Sequence, residues 1–301
     1  MQTSKTIQDV MLEAVTAAAA ITTYVQLSLV DAATMAKADE SPVTIADLAS
    51  QAIIARMLEE HAQASGNDLW LVGEEDADAL RTEAFTDQRR LTLEAAQRVL
   101  PAMTEGQLLD AIDLGRGQPA EEGFWTLDPI DGTKGFVRSA QYAIALAWSE
   151  GDSPTHAAMA CPNLSLDTDQ LMAETKGAGC VFTASVDGPT QMRSLGDAAG
   201  GGLQTLSIDD TERLPIVCGS REQTEDGPSK SGWLGRAREA LSKTAGGLGP
   251  RLRLDSQAKY SVVARGQADV YLRLPRRPGF SEAIWDHAPG ALIAQRAGAI
   301  V

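Results

Sequence analysis

The sequence predicts a mixed α/β protein with an α+β N-terminal half and an α/β C-terminal half. Three observations carry that expectation. Apolar runs with helical spacing fill the first sixty residues, and short strand-like runs crowd the middle between Phe124 and Ala184. Beyond Leu214, strand-length and helix-length runs alternate. The Gly/Ala-rich run Gly196–Gly202 cannot anchor a packed element. It sets the expected boundary between an α+β domain over 1–195, carrying the long helices, and a smaller α/β domain over 196–301. No internal repeat is present.

In chain order, residues 7–36 predict one long helix rich in Ala, Leu and Met. Ser41-Pro42 marks a turn, and Thr44 is the expected N-cap of a helix running to about His61. Leu69–Val72 predicts a short strand ending at Gly73, and the charged stretch 76–90 a loop or short helix. Residues 91–114 predict helix with a break at Pro101. Phe124–Leu127 predicts a strand running into Asp128-Pro129. Tyr142–Trp148, Thr155–Cys161, Asp169–Glu174 and Val181–Ala184 predict further strands. Then come strand 214–218, helix 233–243, a break at 246–250, strand 252–254, helix 260–265, strand 270–274 and helix 285–296. The chain ends at Ala299–Val301 on an apolar strand start with neither turn nor cap. A missing C-terminal segment is therefore left open.

Charge and composition exclude several classes. The chain has 301 residues, with 26 Lys plus Arg against 41 Asp plus Glu, a net charge of −15. It carries no general electrostatic footprint for nucleic acid or for an anionic membrane. The acidic excess reads first as a soluble surface, and second as carboxylates gathered around divalent metals. Cys161, Cys180 and Cys218 are too few and too scattered for a disulfide framework and point to reduced thiols in the cytoplasm. With only His61, His156 and His287, a His-rich zinc site is nearly excluded. The apolar stretch Ala14–Val30 is interrupted by Thr16, Thr22, Thr23, Gln26 and Ser28, so it reads as a buried helix rather than a signal peptide or membrane span.

Four segments carry chemistry. The strongest is the dozen residues Trp125–Phe136, with Asp128-Pro129-Ile130-Asp131-Gly132-Thr133 at its centre. A strand ends at Asp128, and Pro129 stops ladder pairing. Asp128, Asp131 and a freed Ile130 carbonyl then form an oxygen-only set suited to Mg²⁺. Gly132 lets backbone approach a ligand closely. Thr133 is a candidate cap for a following helix whose N–H groups face a phosphate. An Asp-rich turn with an N-cap is the plain alternative.

The second segment, Leu71–Asp76, delivers Glu74 at the C-terminal end of a strand, where ligand sites of α/β proteins gather. A solvated acidic turn is its alternative. The third, Lys37–Asp47, puts Asp47 about one turn into a helix, and by itself this segment reads as a surface or first-turn carboxylate interacting with the helix dipole. The fourth, Ile284–Gly290, places Asp286 at a helix start, where it can cap or bind metal. His287 reads as a packed neighbour, since the other groups are all oxygen donors.

In order and together these segments resemble the lithium-sensitive, magnesium-dependent phosphomonoesterase superfamily that includes inositol monophosphatase and fructose-1,6-bisphosphatase. The shared signature is Gly-Glu-Glu at 73–75, Asp-Pro-Ile-Asp-Gly-Thr at 128–133 and Trp-Asp at 285–286. Finer features resemble one branch, the 3'(2'),5'-bisphosphate nucleotidases. These are Ser41-Pro42-Val43-Thr44, Lys134-Gly135-Phe136, Cys161-Pro162-Asn163-Leu164, Asp255–Tyr260 and Tyr271–Pro275. The resemblance covers nearly the whole chain and is weakest between Gly188 and Gly249.

The resemblance implies a layered α-β-α-β-α fold and two or three Mg²⁺ ions, with inhibition by Li⁺. By the same resemblance, Glu74 is shared between metals, Asp128 bridges them, the Ile130 carbonyl completes one shell, and Asp131 and Asp286 bind the second metal. Asp47 and Thr133 orient and deprotonate the attacking water. Gly132 and Thr133 contact the scissile phosphate through main chain, and Ser256, Lys259 and Arg273 hold the nucleotide and its other phosphate. The implied reaction is hydrolysis of the 3'-phosphate of adenosine 3',5'-bisphosphate to AMP. The resemblance also implies action on 3'-phosphoadenylyl sulfate, and so a link to sulfur assimilation. A monomer acting on a small molecule, with neither nucleic acid nor membrane as partner, is expected.

One departure stands out. The branch usually carries Glu-Ser-Val-Glu followed by His and Ser after the strand matching Pro215–Cys218. Here the residues are Gly219-Ser220-Arg221-Glu222-Gln223-Thr224. That leaves two other readings open: an inositol phosphate phosphatase, and an inactive nucleotide-sensing homologue.

Overall fold

The computed structural model describes residues 5–29, 42–196, 202–208, 212–221, 231–273, 279 and 281–301. Two long helices come first, α1 (Ile7–Leu29) and α2 (Pro42–Ser65). Thr6 and Asp9 open α1 reciprocally: the Asp9 amide donates to Thr6 Oγ1 at 3.2 Å, and the Thr6 amide to Asp9 Oδ2 at 3.1 Å. Residues 30–36 of the expected helix, Ser41, the Lys37–Glu40 run and Glu222–Thr224 lie outside the described residues. Helix α2 starts at Pro42 rather than being capped by Thr44. Proline at a first helical position sacrifices no hydrogen bond, and its fixed φ suits the helix.

Seven strands form one sheet in sequence order: β1 (Leu71–Gly73), β2 (Phe124–Asp131), β3 (Ala143–Glu150), β4 (Ser153–Cys161), β5 (Cys180–Ser185), β6 (Gly188–Ser194) and β7 (Gln204–Thr205). Among the described residues of this sheet, only β1 and β2 pair in parallel. Between them come two short 3₁₀ turns, then α3 (Thr86–Ala96) and α4 (Glu105–Asp113), which is closed by a Thr104–Gln107 capping box. The expected break at Pro101 falls between these helices. Helix α5 (Thr133–Val137) follows β2.

A second, all-parallel sheet has the order β10-β8-β9, from β8 (Val217–Gly219), β9 (Leu252–Arg253) and β10 (Val270–Tyr271). Helices α6 (Ser231–Ala245) and α7 (Ala258–Ala264) connect these strands, and α8 (Ala288–Arg296) ends the fold.

The sheet's alternation shows how the layers stack. On β3, Ile144 and Leu146 pack with α1 and α2, while Ala143 and Ala145 belong to the cluster with α7 and α8. Small side chains on that second face let α8 lie against β3, β4 and β5. The crossovers β8-α6-β9 and β9-α7-β10 run in opposite directions across the small sheet. Right-handed connections therefore place α6 on the face opposite α7. This is the α-β-α-β-α order.

Further elements differ from the sequence expectation. Asp169–Glu174 is not a strand: Met172 makes only an isolated bridge with Leu164, because the β4 edge it would need is taken by β5, with Cys161 opposite Cys180. Strand β6 is polar and was not foreseen; it forms as the return arm of the hairpin at Val186-Asp187. The expected helix 285–296 divides into a 3₁₀ turn (Ile284–Asp286) and α8, with Pro289 in its first turn, and Ala299–Val301 take no strand pairing.

Candidate metal centre and active site

Because β1 and β2 are parallel, their C-terminal ends lie side by side, and that edge carries Glu74, Asp128 and Asp131. Strand β2 does not stop at Asp128 as expected but runs on to Asp131. Its register against β3 jumps from Asp128–Ala145 to Asp131–Ala143. Pro129 sits in that jump, where its missing N–H costs no ladder bond. The jump also contains Ile130, whose carbonyl was the expected metal ligand.

Helix α2 supplies the second wall. Asp47, Ser50 and Gln51 fall at i, i+3 and i+4 and so share one face. All three are buried. Ser50 Oγ donates to the Pro129 carbonyl at 3.2 Å, and Gln51 Nε2 donates to the carbonyls of Glu75 (2.6 Å) and Ile112 (2.8 Å). Fully buried Ile45, Ile53, Ile54 and Leu58 carry this helix. At roughly 1.5–3 kcal/mol each, they outweigh the cost of sinking its polar stripe.

The C-terminal half closes the basin. The Gln257 amide donates to Asp131 Oδ2, and Gly132 packs directly on Ser256. A Cβ at Gly132 would meet Ser256 Cβ at 2.7 Å, and φ of +90° already favours glycine there. Ser256 itself has φ of +66°. Asp286 enters from the 3₁₀ turn before α8. No side-chain cap closes that helix, so the carboxylate is not consumed by capping.

One carboxylate oxygen from each of Asp128, Asp131 and Asp286 lies within 4.8 Å of the others. Asp128 also shares a side-chain hydrogen bond with Glu74. Burial, then the charges of Asp131, Glu74 and Asp47, push Asp128 well above the usual carboxylate range. Asp47 is raised well above it too, by burial and then by Glu75 and Glu74. Burial raises Glu74 and Asp131, and Asp131 is pulled back by Lys259, the Gln257 amide and Arg273. Glu75 is pushed up to about 7 by burial, then by Glu74 and Asp76.

Carboxylates brought this close require protons or a cation. Asp128 Oδ1 is buried without any hydrogen-bond partner. The donors are all oxygens, and an unpartnered buried oxygen on a residue clustered with Asp131 and Asp286 fits Mg²⁺. A cleft of about 420 Å³ opens beside them, lined by Glu74, Glu75, Asp76, Arg116, Gln118 and Trp285.

The structure therefore gathers Glu74, Asp128, Asp131, Asp286 and Asp47, with Ile130, Gly132 and Ser256 at the same edge. Thr133 is exposed and is the first residue of α5. Gly132, not Thr133, occupies the cap position, since a left-handed residue turns the chain there. Helix α5 packs against α2, yet no hydrogen bond joins Thr133 to Asp47 among the described residues. Lys259 is buried, with Nζ on the Ser256 carbonyl at 2.6 Å, where it holds the left-handed Ser256 turn. Arg273 pairs with Glu282 and reaches Asp286 Oδ2 at 3.7 Å. Leu274 and Pro275 of that motif lie outside the described residues.

Three contributors escaped the sequence reading. Glu75 stood inside a motif without a role, and Glu282 carried no local signal. Gln51 was legible as the polar residue one turn after Asp47 in an otherwise apolar stretch. Glu282 joins Arg273 to His287 (Oε2–Nε2 2.8 Å), whose Nδ1 meets the Tyr260 hydroxyl at 2.9 Å.

Residues 3–301 match the model of the inositol monophosphatase family. A 3'(2'),5'-bisphosphate nucleotidase of Schizosaccharomyces pombe is 39% identical over 280 residues, covering 90% of this chain and 76% of that protein. Its namesake in Oryza sativa is 35% identical over 300 residues, covering 96% and 81%. Among solved structures, CysQ of Bacteroides thetaiotaomicron superposes with a TM-score of 0.62 at 20% identity, covering 97% of this chain and 88% of its own. SuhB of Mycobacterium tuberculosis superposes with a TM-score of 0.55 at 19% identity, covering 97% and 84%. At these identities the two structures speak for the fold.

Proposed function

The chain belongs to the inositol monophosphatase family, and from that premise we propose that it is a Mg²⁺-dependent phosphatase that removes the 3'-phosphate of adenosine 3',5'-bisphosphate, yielding AMP and phosphate. The observation that carries the reading is the docking of the 255–259 segment onto the metal turn, through Gln257 on Asp131 and Ser256 on Gly132. The names of the relatives that match most of the chain support the same substrate. Activity on 3'-phosphoadenylyl sulfate belongs to the same reading.

Glu74, Asp128, Asp131, Asp286 and the Ile130 carbonyl would hold the metal ions. When bound, Mg²⁺ neutralises the phosphate, lowers the pKa of water and stabilises the leaving oxygen. Asp47, with Thr133, orients the attacking water and takes its proton; burial beside Glu74 and Glu75 raises its proton affinity. The main chain of Gly132 and Thr133 receives the scissile phosphate. Arg273 draws the second phosphate toward the cationic side of the basin, while Lys259 shapes that side by fixing Ser256. The enzyme acts as a monomer, and Li⁺ inhibits it by taking an Mg²⁺ position with half the charge. Three buried free thiols suit the reducing cytoplasm.

A substrate panel with and without Mg²⁺ tests this. Release of phosphate from adenosine 3',5'-bisphosphate, faster than from inositol 1-phosphate, is expected. The reverse preference replaces the nucleotide reading with an inositol phosphatase, a substitution to which the Gly219–Thr224 departure points. No release from either substrate leaves a nucleotide-sensing homologue.

A further inference from the structure

The end of β1 poses a hydrogen-bonding problem. Past Gly73 the chain leaves the ladder with β2, so the main-chain groups of Glu75 lose their strand partner. A peptide group withdrawn from water without a partner destabilises the fold. The Gln51 side chain answers it. Its Oε1 accepts from the Glu75 amide at 3.1 Å, and its Nε2 donates to the Glu75 carbonyl at 2.6 Å. The carboxamide thus substitutes for one residue of a neighbouring strand. Its second amide hydrogen goes to the Ile112 carbonyl at the end of α4.

The pocket that receives this amide is walled by two glycines. A Cβ at Gly73 would lie 2.7 Å from Gln51 Oε1, and one at Gly115 would lie 2.5 Å from Nε2. Gly73 in turn donates its amide to the Gly115 carbonyl at 2.8 Å. Glu74 is therefore bracketed: the residue before it packs on the Gln51 amide, and the residue after it is bonded at both main-chain atoms. Gln51 and Asp47 share one helix face, so the same contact sets the distance between Asp47 and Glu74.

We infer that Gln51, seated between Gly73 and Gly115, is a positioning residue that fixes Glu74 in its metal-binding place relative to Asp47. The inference rests on the metal-dependent reading above. It concerns a neutral residue that touches neither metal nor substrate, and it acts only through the main chain of the Glu74–Glu75 corner. Outer partners of this kind typically alter metal affinity about ten- to a hundredfold.

The test is calorimetric titration of Mg²⁺ without substrate on wild type, Gln51→Met, Gln51→Asn and Gly115→Ala, with melting temperatures recorded alongside. Gln97→Met is the control, because it removes a part-buried amide donation of the same kind, to the Met103 carbonyl at 2.9 Å between α3 and α4, that bonds neither Glu74 nor Glu75. Gln51→Met and Gly115→Ala are expected to weaken Mg²⁺ binding about ten- to a hundredfold. The control should bind as wild type does, and KM for the nucleotide at saturating Mg²⁺ should change little. Should Gln51→Met fail to fold, Gly115→Ala and Gln51→Asn decide the matter. A folded variant of either kind that binds Mg²⁺ as tightly as wild type overturns the inference, as does an equal loss in Gln97→Met. Wild type that binds Mg²⁺ but spares the nucleotide overturns the substrate reading instead and leaves this one standing.

Discussion

Asp47 and Glu75, on the α2 and β1 side of the basin, are perturbed by burial and by other carboxylates, with no cation among the groups that shift them. Asp131, on the side facing α7, is raised by burial but drawn down by Lys259, the Gln257 amide and Arg273. The first side is held by neutral amides and hydroxyls, from Gln51 and Ser50. The second side is held by charge. An uncompensated acidic wall stores affinity for a cation, whereas a wall with its own cations can accept an anion once the metals have taken the carboxylates. The carboxylates shifted without a cation thus lie in the N-terminal half of the chain, and the cations that draw Asp131 down come from the C-terminal half.

Asp128 lies where the walls meet, so removing its charge breaks the comparison most severely. Asp128→Asn should lower kcat by about a thousandfold or more, about 4 kcal/mol of transition-state stabilisation, while leaving the metal-free fold intact. Steady-state kinetics at saturating Mg²⁺, with circular dichroism in EDTA, measures both, and near-normal turnover would remove Asp128 from the bridge.

Arg273 tests the cationic wall. A charge-assisted bond to a second phosphate contributes roughly 1.5–3 kcal/mol. Arg273→Ala should then raise KM for adenosine 3',5'-bisphosphate about ten- to a hundredfold and barely change hydrolysis of a single-phosphate substrate. The two kcat/KM ratios, mutant over wild type, are the measurement. Equal losses would mean that the contacts of Arg273 with Glu282 and Asp286 serve the metal wall instead.

Li⁺ sharpens the comparison from the metal side. It should inhibit at concentrations well below those at which Na⁺ acts, measured by initial rates at fixed Mg²⁺. Equal sensitivity to both ions would count against the expected ligand set.

The smallest effect is on stability. Glu75 has a folded-state pKa near 7, above its ordinary 4.5, and Asp47, Glu74, Asp128 and Asp131 are raised as well. The folded state then binds more protons than the unfolded chain, so this stabilisation is complete below the ordinary carboxylate range and disappears as pH rises through the folded-state values. In EDTA the melting temperature should fall between pH 4.5 and 7. Mg²⁺ should flatten that fall by replacing the protons. A melting curve that rises over this range without Mg²⁺ would contradict the uncompensated wall.

Much of this was legible because the signals are local. A proline between two aspartates announces a turn by its missing N–H, and Gly132 announces a close backbone approach. The strand expected to stop at Asp128 nevertheless ran on to Asp131, because a register jump against β3 absorbs Pro129. The expected strand 169–174 failed because an edge has one place and β5 took it. Thr133 lost its cap role to the neighbouring glycine.

By itself the sequence determined the residue types and their order: oxygen donors on four segments, Lys259 and Arg273 on two more, and apolar runs of the right length and period to form helices and strands. Those properties depend on neighbours a few positions apart. Only the tertiary structure decided that Asp286 meets Asp128 and Asp131 within 4.8 Å, that Arg273 rests on Glu282, and that Gln51 completes the end of β1. The first and the last join elements far apart in the chain, and the second joins residues nine positions apart. What selects them is the need of a buried polar group for a partner, and that need arises only once the core has closed.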